Sequence, residues 1–311
     1  MRILLSIMIL LSFTAFAGKD KTRYADTVLI DKHLTAITKS NIPRNFANQG
    51  ELRRVSSYIY DNFELYCDTV FFQEFDVKGE SYKNVIGRMG PNDAPKIVVG
   101  AHYDVCGEQE GADDNATGVV GLLELTRLLH EKKLNVQIEF VAYTLEEPPF
   151  FRTEYMGSAV HAKSIHDSGE EILGMVCLEM IGYFSDEKKS QSYPLGLLKM
   201  FYGGKGDYIT VVQRFGNGKF GRKFKKKMKR QNRIKTKSFK GPAKLQGIDF
   251  SDHLNYWAYD YSAVMITNTG FFRNKNYHQK TDVMETLDLN RMALVIDEVF
   301  VCLRDWKIKE R

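Results

Sequence analysis

The chain has 311 residues, 43% hydrophobic and 12% aromatic, so it can bury a sizeable core and disorder as its main state is excluded. Its formal charge of +5 has one source: residues 219–240 carry twelve Lys/Arg and no acid, and without those twelve the remainder stands at −7. A single basic patch with no nucleic-acid-binding module around it argues against nucleic acid as a partner.

The N-terminus, M-R-I-L-L-S-I-M-I-L-L-S-F-T-A-F-A-G, puts one positive residue before a short apolar run and reaches the small-x-small triplet Ala15-Phe16-Ala17. That pattern predicts a signal peptide over residues 1–17 and a mature protein that is soluble outside the cytoplasm, secreted or periplasmic. The run is short for a membrane span. Residues 18–311 then read as a single domain, with no repeat and no Gly/Ser- or Pro-rich linker, and with a basic surface insertion around 216–245.

Residues 49–64 read as a helix, and 68–77 and 82–88 as strands that could form an antiparallel edge. Lys96 to Ala101 (K-I-V-V-G-A) is a short apolar run, expected of a strand buried on both faces. Residues 116–131 carry leucines and valines at helical spacing. Strand follows at 136–144, helix at 154–167, and strands at Ile172 to Met180, Tyr208 to Phe215 and Ser262 to Thr269; a closing helix spans 288–306. Between the last two strands lies the basic stretch, where Phe220, Phe224 and Met228 recur every four residues on one helical face, leaving the lysines to solvent or to an anionic surface. The alternation predicts an α/β fold: a three-layer sandwich whose mostly parallel central sheet is flanked by helices.

In such sheets ligands sit beyond the carboxyl ends of the strands. His102-Tyr103-Asp104 follow the strand at 96–101, Asp113-Asp114-Asn115 precede the next helix, Glu146-Glu147 follow the strand at 136–144, Glu179 ends the next strand, and Tyr277-His278 close the loop after the last. Each alone is ordinary; an Asp-Asp-Asn before a helix is usually a cap. Together they set two histidines and several carboxylates at one sheet edge. Such carboxylates repel and raise one another's pKa unless something neutralises them. A pair of divalent cations would, and imidazole with carboxylate oxygen suits zinc.

The ordered pieces G-A-H-Y-D, G-A-D-D-N-A-T-G, T-L-E-E, C-L-E-M-I-G-Y, F-S-D-H and Y-H-Q-K-T-D resemble the co-catalytic zinc exopeptidases of peptidase family 28, which includes bacterial secreted leucyl aminopeptidases, over roughly residues 80–305. The resemblance implies His102 and Glu179 as ligands of a first zinc, Asp114 as a carboxylate bridging two zincs, and Glu147 and His278 as ligands of the second. It implies Glu146 as the general base and Asp104 as the residue that orients His102. Asp252 is a weaker candidate for lining the site, and Asp282 for supporting the His278 loop. The chemistry suits the set: zinc lowers the pKa of its water to about 7, and a carboxylate free of the metal moves the proton.

Two features depart from the family pattern. Many members have Asp where Glu179 stands, which bears on which peptide terminus is attacked. The double glutamate usually continues V-G-x-x-G-S, whereas here P-P-F-F intervenes; Pro148 and Pro149 stiffen that loop, and Phe150 and Phe151 line either an apolar pocket or the core. Of the four cysteines, Cys106 and Cys177 lie near the site in sequence. A Cys106–Cys177 disulfide is conceivable in an exported protein, and a ligand role for either is not expected because the His/carboxylate set is complete without them. The leading reading is an aminopeptidase acting on peptide substrates. Its rivals on the same fold are a one-zinc glutaminyl-peptide cyclotransferase, a carboxypeptidase and a non-catalytic binding homologue.

Overall fold

The computed structural model describes residues 22–308, so the expected signal segment lies outside the described residues. Eight strands form one sheet in the order β1-β2-β4-β3-β5-β8-β6-β7. Its centre is parallel: β4 (Gln137–Tyr143), β3 (Lys96–His102), β5 (Ile172–Glu179) and β8 (Ala263–Thr267). Every residue of β3, β4 and β8 is buried, as their unbroken apolar runs require of strands covered on both faces.

Both margins reverse direction. β1 (Thr69–Val77) and β2 (Glu80–Met89) form a hairpin that joins β4 antiparallel. Its two-residue turn, Lys78-Gly79, has positive φ at both positions (56° and 86°), the backbone that matches strand twist. On the other side β6 (Ile209–Arg214) runs antiparallel to β8, and β7 (Thr236–Gly241) pairs parallel to β6.

Helices cover both faces. One carries α1 (Thr27–Thr38), α2 (Gln49–Glu64), α3 (Thr117–Leu129), α6 (Gly218–Gln231) and α8 (Leu289–Arg304), which share the larger apolar core. The other carries α4 (Gly157–Ser168) and α7 (His253–Ala258) over a smaller one. A short α5 (Leu198–Tyr202) reaches β7 through Tyr202, whose hydroxyl donates to the Ser238 carbonyl. The basic stretch is built into this frame. Phe220, Phe224 and Met228 are buried against α8 and Trp306, while Lys219, Arg222, Lys226, Lys229 and Arg230 stay exposed. Its second half is the edge strand β7, which the charge run concealed.

Candidate metal centre and active site

The carboxyl ends of the parallel strands converge. His102 ends β3 and Glu179 ends β5, with His102 Nε2 3.4 Å from a Glu179 oxygen. The short π-helical turn 112–116 between β3 and α3 carries Asp114. Its Oδ1 lies 3.4 Å from His102 Nε2 and its Oδ2 3.3 Å from His278 Nε2. Glu147 lies 3.1 Å from the same His278 nitrogen, and Glu146 3.8 Å from His102. All seven residues expected at the site, Asp104 included, are therefore brought together.

Surrounding residues fix these side chains. Asp104 does more than face His102 Nδ1 at 3.6 Å: its two oxygens accept the amide N–H groups of Glu146 and Glu147 at 3.2 and 3.1 Å. Asp282, four residues after His278, accepts the amides of Asp113 and Asp114, both at 3.0 Å, and so ties its segment to the 112–116 turn. Asp113, which sequence reasoning left as a cap, accepts from the Asn268 and Asn274 side chains and from two backbone amides. Ser251 donates to Glu179 at 2.7 Å. Buried Arg44 donates to the carbonyls of Tyr103, Glu110 and Gly111, pinning the loop after β3. Arg44 sits in the connector between α1 and α2 with no local motif, so nothing in the sequence singles it out.

The loop carrying the two glutamates closes on itself. The Gly157 amide donates to the Thr144 carbonyl at 2.7 Å, and Asn84 bonds both Thr144 and Gly157. A Cβ at Gly157 would meet Thr144 backbone within 2.8 Å, so only glycine allows this closure. Within the loop the two phenylalanines part: Phe150 packs on Phe46, Tyr82 and Tyr155, and Phe151 faces the pocket. All four cysteines are free, so the conceivable Cys106–Cys177 disulfide does not form. Cys177 is enclosed in β5 beside Ser251, 3.1 Å away.

The electrostatics follow from burying so many carboxylates. Burial, then the neighbouring charges, pushes Glu146 well above the usual range, and burial with Asp114 pushes Glu147 to about 7. Burial raises Asp252, the weaker candidate for lining the site, to about 7. Burial would lower His278, but Asp114 and Glu147 raise it to about 10; His102 rises against burial through Glu146 first, then Asp104, Asp114 and Glu179. Asp114 Oδ2, Glu147 Oε1, His278 Nε2 and both Asp252 oxygens are buried without a hydrogen-bond partner. Close pairs that fail to hydrogen-bond to each other are what ligands aimed at a shared third body look like. The donor set, two imidazoles and three carboxylates, fits divalent metal and suits zinc.

Beside the centre opens a cavity of about 250 Å³. Glu146, Glu147, Glu179 and His278 form its polar end; Phe151, Phe250, Phe271 and Tyr277 are among its apolar walls. Tyr277 stacks on His278 with ring centroids 3.8 Å apart. A buried His/carboxylate cluster at the ends of a parallel sheet, opening on an apolar cavity, is the layout of a metal-dependent hydrolase.

Comparison with known proteins agrees. Residues 84–301 match peptidase family M28, and the chain belongs to that family. It is 40% identical over 293 residues to the uncharacterized protein YfbL of Escherichia coli K12, covering 92% of this chain and 90% of that one. Among solved structures, the LapA aminopeptidase of Legionella pneumophila superposes with a TM-score of 0.70 at 19% identity, covering 90% of this chain and 71% of that one. The glutaminyl cyclase of Porphyromonas gingivalis does so with a TM-score of 0.66 at 16% identity, covering 91% and 99%.

Proposed function

We propose that this protein is a two-zinc aminopeptidase that removes apolar N-terminal residues from peptides. The observation that carries the reading is Asp114, whose two oxygens face two different histidines at 3.4 and 3.3 Å. His102, Asp114 and Glu179 would hold one ion; Asp114, Glu147 and His278 the other. Zinc bound there supplies Lewis acidity toward a scissile carbonyl and a water acidic enough to attack at neutral pH. Glu146 is the general base: buried and held in place by the Asp104–amide bond, it takes the proton from water and returns it to the leaving amine. The aromatic walls beside the glutamates receive an apolar side chain. Glu146→Gln should lower turnover by roughly 10²–10⁴-fold while metal content and melting temperature hold; near-normal turnover would remove Glu146 from the role of base.

Likeness to glutaminyl cyclases over nearly their whole length favours cyclisation at a single zinc as the second reading. Zinc-loaded protein incubated with a peptide mixture separates the two by mass spectrometry. Loss of N-terminal residues supports the aminopeptidase, pyroglutamate formation the cyclase, and C-terminal shortening neither.

The apolar leader pattern supports action outside the cytoplasm, which N-terminal sequencing of protein from cell fractions would test. The exposed cations of α6 and β7 support contact with anionic surfaces, expected as salt-sensitive binding to vesicles of anionic lipid.

A further inference from the structure

We propose that Cys106 is a thiolate ligand of the ion held by Glu147 and His278. The inference rests on the reading that these two residues bind metal. The completeness of the His/carboxylate set argued against any cysteine ligand, yet the fold brings Cys106 into the same cluster. The ligand atoms of Cys106, Glu147 and His278 all lie within 4.8 Å of one another. Around a tetrahedral zinc, with bonds of about 2.3 Å to sulfur and about 2.0–2.1 Å to nitrogen or oxygen, neighbouring donors sit roughly 3.3–3.6 Å apart. The difference is within reach of small side-chain rotations. Glu147 is only 4% exposed and its Oε1 is buried without a hydrogen-bond partner, so this residue of the cluster keeps an unfilled donor oxygen.

The backbone that presents Cys106 is fixed on both sides. The Val105 amide donates to the Arg44 carbonyl at 3.2 Å, and Asn45 Nδ2 donates to the Gly107 carbonyl at 2.6 Å. The Arg44 side chain grips Tyr103 and Gly111 on either side of that stretch. The thiol is free and half-buried.

As the metal–sulfur bond forms, the thiol loses its proton to solvent. A soft donor at this half of the centre would favour zinc over hard cations such as magnesium there, and leave the other half to nitrogen and oxygen alone. It would also make this half vulnerable to oxidants, because an oxidised sulfur no longer offers the thiolate.

Titration of metal-free protein with Co²⁺ tests this. The visible bands of the ion count the equivalents bound, and a sulfur-to-cobalt charge-transfer band in the near ultraviolet reports a thiolate ligand. Wild-type protein should bind two equivalents and show the band. Cys106→Ser should lose it and need roughly 10–100-fold more Co²⁺ to fill its weaker site, the range seen when residues supporting metal ligands are removed. Two equivalents without the band in wild-type protein overturn the Cys106 assignment and leave the two-metal reading standing. One equivalent with the band does the reverse. One equivalent without it, or no binding, overturns both. The wild-type spectrum decides even where the variant folds poorly.

Discussion

The Asp104 carboxylate accepts the amides of two consecutive residues, Glu146 and Glu147, and so sets where both side chains begin. Asp104→Asn would present an N–H to one of those amides, leaving a buried donor unsatisfied and the glutamates free to drift. Activity and metal affinity should each fall roughly 10–100-fold, with a smaller loss of melting temperature; unchanged metal affinity would reduce Asp104 to a partner of His102 alone. The sequence shows both glutamates as carboxylates at a strand exit, and their ordered neighbours mark the cluster. It does not show why they diverge. β4 ends at Tyr143, and Leu145 takes a positive φ of 59°, so a turn rather than strand pleating sends Glu146 toward His102 and Glu147 toward His278. Arg44, Ser251 and the amide-holding role of Asp282 were equally hidden, because each acts across long sequence separation on backbone or on one oxygen atom.

At the scale of elements, what sequence reveals depends on how uniform the burial is. β3 and β4 are buried throughout, and α3 at every residue but Arg127, and they read directly as apolar runs or helical spacing. β7 holds Phe239 among Lys237, Ser238 and Lys240 at the sheet edge and looks like the end of a charge run, and α7 is too short to show a period. α1 did carry a signal, Ile30, Leu34 and Ile37 on one face, diluted by the polar residues between them. In α6 the apolar face holds the helix to the sheet. Phe224→Ala should cost about 3–5 kcal/mol in urea unfolding, whereas Lys226→Gln should stay within about 0.5 kcal/mol. The junction of α6, β7 and α8 also titrates. Glu298 accepts from the Arg233 and Ile234 amides and the Thr236 hydroxyl, and burial raises its pKa to about 7. The folded state therefore binds more protons than the unfolded between about pH 4.5 and 7, so this residue's contribution falls as pH rises across that window, by about 1.4 kcal/mol per unit of displacement. Glu298→Gln keeps an acceptor and should flatten that part of the stability–pH curve; an unchanged slope would place the titration elsewhere.

Over the whole molecule, the centre is a local debt of charge that a bound ion would discharge. Asp114, Glu146, Glu147 and Glu179 are all buried at one sheet edge, where three elements meet: the 112–116 turn, the loop after β4 and the end of β5. Without metal, protons and histidine charge must offset the carboxylates: Asp114 and Glu147 raise His278 to about 10, and burial with Asp114 raises Glu147 to about 7. Metal that binds the folded chain and not the unfolded one stabilises it by about 2.7 kcal/mol at a hundred times its Kd. At roughly 2–4 °C per kcal/mol for a chain of this order of size, chelation should lower the melting temperature by about 5–10 °C, and zinc should restore it. The loss should be reduced in His278→Ala, which weakens the second ion's site and leaves His102, Asp114 and Glu179 for the first, and kept in Phe151→Ala, whose side chain lines the cavity. A melting temperature indifferent to chelator in the wild-type protein would mean that the carboxylates are neutralised by protons alone and that the cluster holds no stabilising ion.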